Sequence, residues 1–225
     1  MKWGLCMLLS HDKKFLFIAV HKTGSTSIRR LLNKYTDVST SSQSNSPYFF
    51  HATASSLQSE FAMNQWDWSS YFKFAFVRNP WERLVSAYFY RQKMVKKWKE
   101  NPPKNDFYHD VNEAFSHELG TTKNFKDWVQ KFLVNGKHEI VMHQHKYLVD
   151  ENKKLLIDFV GKLENINQDF DKIINKLGVD VKPLENKNKS NHRKYQTYYD
   201  EYTQKLVHDY YSVDVNLFEY EFNEK

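Results

Sequence analysis

Residues 15–32 read FLFIAVHKTGSTSIRRLL, and the order of events in this stretch decides how the chain is read. Residues 14–20, KFLFIAV, are a short apolar run rich in aromatic and β-branched side chains, the pattern of a buried strand. The run stops at His21-Lys22, and a loop of Thr, Gly and Ser follows. Ile28, Leu31, Leu32 and Tyr35 then recur with the i, i+3, i+4, i+7 spacing of an amphipathic helix. Strand, loop and helix in this order turn backbone N–H groups and the positive end of a helix toward one point, which is an anion cradle. The nucleotide-hydrolase loop has the form G-x-x-x-x-G-K-[ST]. Here Gly24 is the one glycine and Lys22 comes before it, so the loop suits an anion other than the triphosphate of ATP.

A second junction repeats the logic. Residues 71–78, YFKFAFVR, form another apolar run, and it ends in Arg78. Asn79 suits the N-cap of a following helix, Pro80 its first position and Glu82 the third position of a capping box. Trp81, Leu84, Val85 and Tyr88 make the apolar face of that helix, which leaves Ser86, on the Glu82 and Arg83 side, able to face a ligand. Further helices are expected over 53–65, 125–134, 166–178 and 195–211, a third strand over 155–161 and a first strand near the N-terminus. Residues 36–47 and 99–123 read as irregular, and 187–194 as a basic loop. Strands alternating with helices predict an α/β fold with a mostly parallel central sheet flanked by helices. The whole of 1–225 reads as one domain.

Composition narrows the partners. The 225 residues carry a net charge of +6, which favours an anionic ligand. At 27% charged and 40% hydrophobic residues, the chain has enough apolar surface to fold. Its single cysteine, Cys6, rules out an intrachain disulfide and a multi-cysteine metal site and fits a reducing, cytoplasmic setting. The apolar stretch Trp3 to Leu9 is too short to span a bilayer.

In an open parallel sheet, ligands bind at the carboxyl ends of the strands, and both junctions deliver polar groups there. At the first, the backbone N–H groups and hydroxyls of Thr23, Ser25, Thr26 and Ser27 can surround an anion beside Gly24, with the charge of Lys22 at the mouth. At the second, Arg78 can grip a phosphate with two parallel hydrogen bonds. Each feature alone is also the ordinary start of a helix, with Arg83 in a surface ion pair. Together they describe two neighbouring anion sites and a ligand with two separated phosphate-like groups.

These residues carry a family resemblance. Lys22-Thr23-Gly24-Ser25-Thr26-Ser27 resembles the 5′-phosphosulfate loop of sulfotransferases, and Arg78-Asn79-Pro80-Trp81-Glu82-Arg83-Leu84-Val85-Ser86-Ala87-Tyr88 resembles their 3′-phosphate motif. The match is to sulfotransferase family 2, which contains carbohydrate sulfotransferases of the heparan 2-O and chondroitin 4-O type and bacterial relatives. HATA at 51–54, Gln144 with Tyr147-Leu148, FVGKLEN at 159–165 and the Tyr-rich C-terminus fall in the family's order. The resemblance implies a P-loop-like three-layer α/β fold and a donor, 3′-phosphoadenosine 5′-phosphosulfate, used without a metal. It implies a 5′ site at residues 22–27 and a 3′ site at Arg78 and Ser86; the basic loop 187–194 either closes over the 3′ site with Lys189, Ser190 and Arg193 or is a solvated basic surface. It also implies in-line sulfuryl transfer to a hydroxyl, with Lys22 stabilising the leaving group and His51 as base.

An ordinary imidazole is neutral near pH 7 and can take the acceptor proton. His21, His143, His145 and Glu164 are competitors for that role. The His143-x-His145 spacing has no evident third metal ligand. The basic run 91–104, RQKMVKKWKENPPK, suits an acidic oligosaccharide acceptor. A P-loop kinase would need magnesium and an Asp-terminated strand that is not apparent. A nucleic-acid binder would leave its aromatic residues on the surface rather than at core spacing.

Overall fold

The computed structural model describes residues 7–39, 52–103, 106–134, 141–184 and 193–223. Five strands form one sheet: β1 (Leu8–Ser10), β2 (Phe15–Ile18), β3 (Val38–Ser39), β4 (Phe72–Val77) and β5 (Phe159–Lys162), in the order β3-β1-β2-β4-β5. Eight α-helices accompany them among the described residues. They are α1 (Ser25–Leu32), α2 (Ala54–Met63), α3 (Pro80–Glu100), α4 (Asp106–Gly120), α5 (Phe125–Val129), α6 (Ile166–Leu177), α7 (Glu201–Tyr210) and α8 (Ser212–Leu217). The chain divides into two compact units, Met1–Arg78 with His143–Lys189 and Asn79–Met142 with Ser190–Lys225. The first holds the whole sheet with α1, α2 and α6, and the second is helical.

In the first unit, β2 pairs parallel with β4 and β4 with β5, while β1 runs against both β2 and β3. Four strands therefore point one way, as the mostly parallel reading expects. Side chains alternate across a strand. Leu8, Phe15, Phe17, Phe74 and Phe76 share one face and pack with Ile28 and Leu32 of α1 and Phe170 and Ile173 of α6. Phe17 and Phe74 stack at 5.2 Å between ring centroids, and Phe72 stacks on Phe74 at 5.8 Å. The other face carries Leu9, Leu16, Ile18, Ala75 and Val77, which are equally buried. Burial on both faces is why these strands read as continuous apolar runs rather than alternating ones. Lys73 is the charged exception on that face, and its Nζ is tied to Asp158 at 2.8 Å and to the Tyr71 carbonyl at 2.6 Å.

One close approach sets a residue choice. Gly161 of β5 lies opposite Phe76, and a Cβ there would sit 2.6 Å from the Phe76 ring. The ring is fully buried and cannot swing away. Gly161→Ala is expected to destabilise the protein by about 1–3 kcal/mol through overpacking. A denaturant midpoint equal to wild type would refute this.

The second unit is organised by α3. The Asn79 side chain caps it, accepting from the N–H groups of Trp81 (3.1 Å) and Glu82 (3.4 Å), with Pro80 in the first turn as expected. The Asn79 amide also donates to the Glu221 carbonyl at 2.9 Å. Trp81 is buried, its indole N–H donates to the Gln204 carbonyl at 3.0 Å, and the Phe222 ring meets it edge-on. Tyr199 donates to the Trp81 carbonyl at 2.8 Å. Asn79 and Trp81 thus fasten the C-terminal segment to the start of α3.

Several expectations change. Residues 106–120, read as irregular, form α4. Tyr108 and Phe115 lie against Trp98 of α3, and the Arg91 guanidinium stacks over Phe115 and pairs with Glu118 at 2.7 Å. This packing overrides the weak local signal around Asn-Pro-Pro. Arg91 is consequently buried and leaves the basic surface of the 91–104 run. The expected 195–211 helix breaks at 199–200, where Asp200 caps α7. The Thr203 hydroxyl and N–H hold the Asp200 carboxyl well below the usual carboxylate range. The third strand begins at Phe159 rather than at 155, and the loop after α1 contains the edge strand β3. Among the described residues no helix is long and apolar enough to cross a membrane.

Candidate active site

Because β2 and β4 are adjacent and parallel, the segments leaving their carboxyl ends emerge at one edge of the sheet. The first is the loop His21–Gly24, leading into α1, and the second is Arg78. Both belong to the first unit.

The loop is shaped by two left-handed residues, Lys22 at φ 67° and Gly24 at φ 79°. The second suits glycine, since side chains disfavour that region. A Cβ at Gly24 would also meet Leu163 Cδ1 at 2.6 Å, because the turn before α6 packs under the loop. Lys22 holds the same kind of backbone conformation without that freedom, a strain that concentrates at functional sites. Thr23 is buried, and its hydroxyl donates to the Val20 carbonyl at 2.9 Å. That bond helps to close the loop. The N–H groups of Thr23 to Thr26 belong to the start of the helix, where an anion can be held, while the Ser27 N–H donates to the Gly24 carbonyl at 3.2 Å. Lys22, Ser25 and Ser27 are half-buried and Thr26 is exposed. Arg29 folds back over the first turn of α1, donating to the Ser25 carbonyl (3.2 Å) and the Thr26 hydroxyl (3.3 Å). It adds a second positive charge beside the loop. The i, i+3 and i+4 spacings to Thr26 and Ser25 were the signal for it in the sequence.

Arg78 is 8% exposed, and its guanidinium approaches the Lys22 carbonyl at 3.5 Å, a long contact. The two motifs, far apart in sequence, are brought together in space. Gln144 holds the Arg78 backbone from the other side. Its Oε1 accepts from the Arg78 N–H and its Nε2 donates to the Arg78 carbonyl, both at 2.8 Å.

Ser86 is half-buried on α3, in the second unit. Arg83, for which a surface ion pair is the alternative reading, does not lie at the surface. It is 1% exposed, and its guanidinium donates to the Met142 carbonyl at 2.9 Å, because α3 is buried around most of its first three turns. Arg193 is exposed, with its N–H on the Tyr198 hydroxyl at 3.2 Å. Glu164 is exposed in the turn Leu163–Asn165 that leads into α6. His143 and His145 meet edge to face with ring centroids 5.3 Å apart. His51, Lys189 and Ser190 lie outside the described residues.

A model of the Sulfotransferase family matches residues 6–221. The chain belongs to that family. Membership of the sulfotransferases means transfer of a sulfuryl group, with 3′-phosphoadenosine 5′-phosphosulfate as the donor that the family implies. The P-loop-like α/β fold agrees with it. The sulfotransferase match spans both compact units. A protein of Archaeoglobus fulgidus, described as an uncharacterized protein, is similar to this sulfotransferase. It is 25% identical over 109 residues, covering 48% of this chain and 69% of its own. No solved structure matches the chain.

Proposed function

We propose that the protein transfers the sulfuryl group of 3′-phosphoadenosine 5′-phosphosulfate to a carbohydrate hydroxyl. The observation that carries this reading is the approach of the Arg78 guanidinium to the Lys22 carbonyl, which sets two cationic groups at adjacent strand ends. A donor with phosphate groups on both its 3′ and 5′ positions suits such a pair. The backbone N–H groups of 23–26, with the side chains of Lys22, Ser25, Thr26 and Ser27, hold the 5′-phosphosulfate. Arg78 holds the 3′-phosphate, Ser86 is assigned to it by the family resemblance, and Lys189, Ser190 and Arg193 are assigned to it from the charge of their basic loop.

The transfer is an in-line displacement. The acceptor oxygen forms a bond to sulfur as the bond from sulfur to the 5′-phosphate oxygen breaks, leaving adenosine 3′,5′-bisphosphate. Lys22 neutralises the charge that grows on that bridging oxygen. His51 takes the acceptor proton. Neither role calls for a metal, since the cationic side chains supply the positive charge that magnesium supplies in kinases. An acidic oligosaccharide is supported by Lys93, Lys96 and Lys99, which line the exposed face of α3. The single cysteine suits action in the cytoplasm.

Calorimetric titration of adenosine 3′,5′-bisphosphate without metal tests the donor site. Wild type is expected to bind in the micromolar range. Arg78→Ala should bind about 100-fold more weakly, the loss of charge-assisted hydrogen bonds worth roughly 1.5–3 kcal/mol each. Binding of ATP alone, and only with magnesium, would replace this reading with a kinase.

A further inference from the structure

We infer that Gln144 is a positioning residue for the donor's 3′-phosphate, acting through the backbone of Arg78; this rests on the donor reading above. Arg78 lies one residue beyond Val77, the last residue of β4, where the pairing with β5 ends at Val77 and Lys162. Its N–H and carbonyl would otherwise lose their strand partner at the site itself. The Gln144 amide takes that place. It accepts from the Arg78 N–H and donates to the Arg78 carbonyl, both at 2.8 Å, reproducing the doubly bonded pair of a sheet with one side chain. Gln144 is fully buried, so water does not compete for either bond. Its backbone carbonyl accepts from Tyr147 N–H at 3.1 Å, which anchors the glutamine in the turn His145–Tyr147. All of these groups belong to the first unit, as does the Lys22 carbonyl that the Arg78 guanidinium approaches. The amide therefore sets the direction in which the Arg78 side chain leaves the strand.

Only an amide meets both demands. Glutamate offers no donor to the Arg78 carbonyl, and methionine, of similar length, offers neither bond. A structural glutamine would matter equally for every part of a bound ligand. A positioning glutamine matters for the phosphate that Arg78 holds.

The test uses the full chain with adenosine 3′,5′-bisphosphate, read by calorimetry and by phosphorus NMR of the bound ligand. Gln144→Met and Gln144→Glu are the variants, with Arg78→Ala as reference and thermal unfolding as the check on folding. Affinity should fall roughly 10- to 100-fold in both variants, the range seen when a buried partner that orients a ligating group is removed. At saturating ligand, the 3′-phosphate resonance should move toward its free position, while the 5′-phosphate resonance keeps its bound position. If Gln144→Met does not fold, Gln144→Glu, which retains the acceptor for the Arg78 N–H, carries the same comparison. Wild-type affinity and unchanged resonances in a folded variant would overturn the inference while leaving the donor site intact. Equal displacement of both resonances would overturn it as well, by showing general loosening of the site. Failure of the wild type to bind the bisphosphate would overturn the donor reading and this inference together.

Discussion

Lys22→Ala is expected to lower kcat by about 10²- to 10³-fold, with a much smaller change in affinity for adenosine 3′,5′-bisphosphate. The reasoning is electrostatic. The ammonium matters most when charge appears on the bridging oxygen as it leaves, which is a property of the transition state and not of the bound product. The backbone of Lys22 supplies a control. At φ 67°, glycine is easier to accommodate than alanine or lysine, by about 1 kcal/mol. Lys22→Gly should therefore melt at a higher temperature than Lys22→Ala and yet turn over no faster. If Lys22→Gly regains wild-type kcat, the residue acts through the shape of its loop, and the charge assignment fails. Turnover is followed with labelled donor and the acceptor found in an oligosaccharide screen.

His51→Ala should cost about 10²- to 10⁴-fold in kcat/KM, the usual range for removing a general base. The wild-type profile should rise with pH through the range where an imidazole loses its proton, about pH 6 to 7, and level off above it. A base must be deprotonated to act, so activity appears as pH rises through that range. The variant should lose this limb, and added imidazole should restore part of the rate. His51 lies two residues before Thr53, whose hydroxyl caps α2 by accepting from the Ser56 N–H at 3.2 Å, so the helix expected from residue 53 starts there. His21, half-buried beside Lys22, is the competitor that the loop itself offers. Retention of the acidic limb in His51→Ala and its loss in His21→Ala would transfer the role.

The legible parts of the fold share a cause. Strand β2, helix α1, the Asn79 cap with Pro80, and the stop of α6 at Gly178 all depend on residues within a few positions of one another. Spacing alone carries such information. The missed parts depend on partners far along the chain. Helix α4 is held by Arg91 with Glu118 and by Trp98 with Phe115, contacts that a scan around Asn-Pro-Pro does not reveal. Arg91 left the expected basic surface, and the alternative of a surface ion pair for Arg83 fell, because packing buries each guanidinium against a half-buried acceptor. The bond from the Thr23 hydroxyl to the Val20 carbonyl is another contact that spacing alone does not announce.

The sequence by itself determined the α/β class, the two strand-to-helix junctions and the cations at their ends. Each is written in local periodicity, caps and residue type. Only the tertiary structure decided that β2 and β4 are neighbours, that Arg78 meets the Lys22 carbonyl, and that an amide 66 residues away fixes Arg78 at the end of its strand. Strand order and buried side-chain pairing are settled by which apolar faces can be covered and which buried polar groups can be satisfied. Both are properties of the packed chain as a whole.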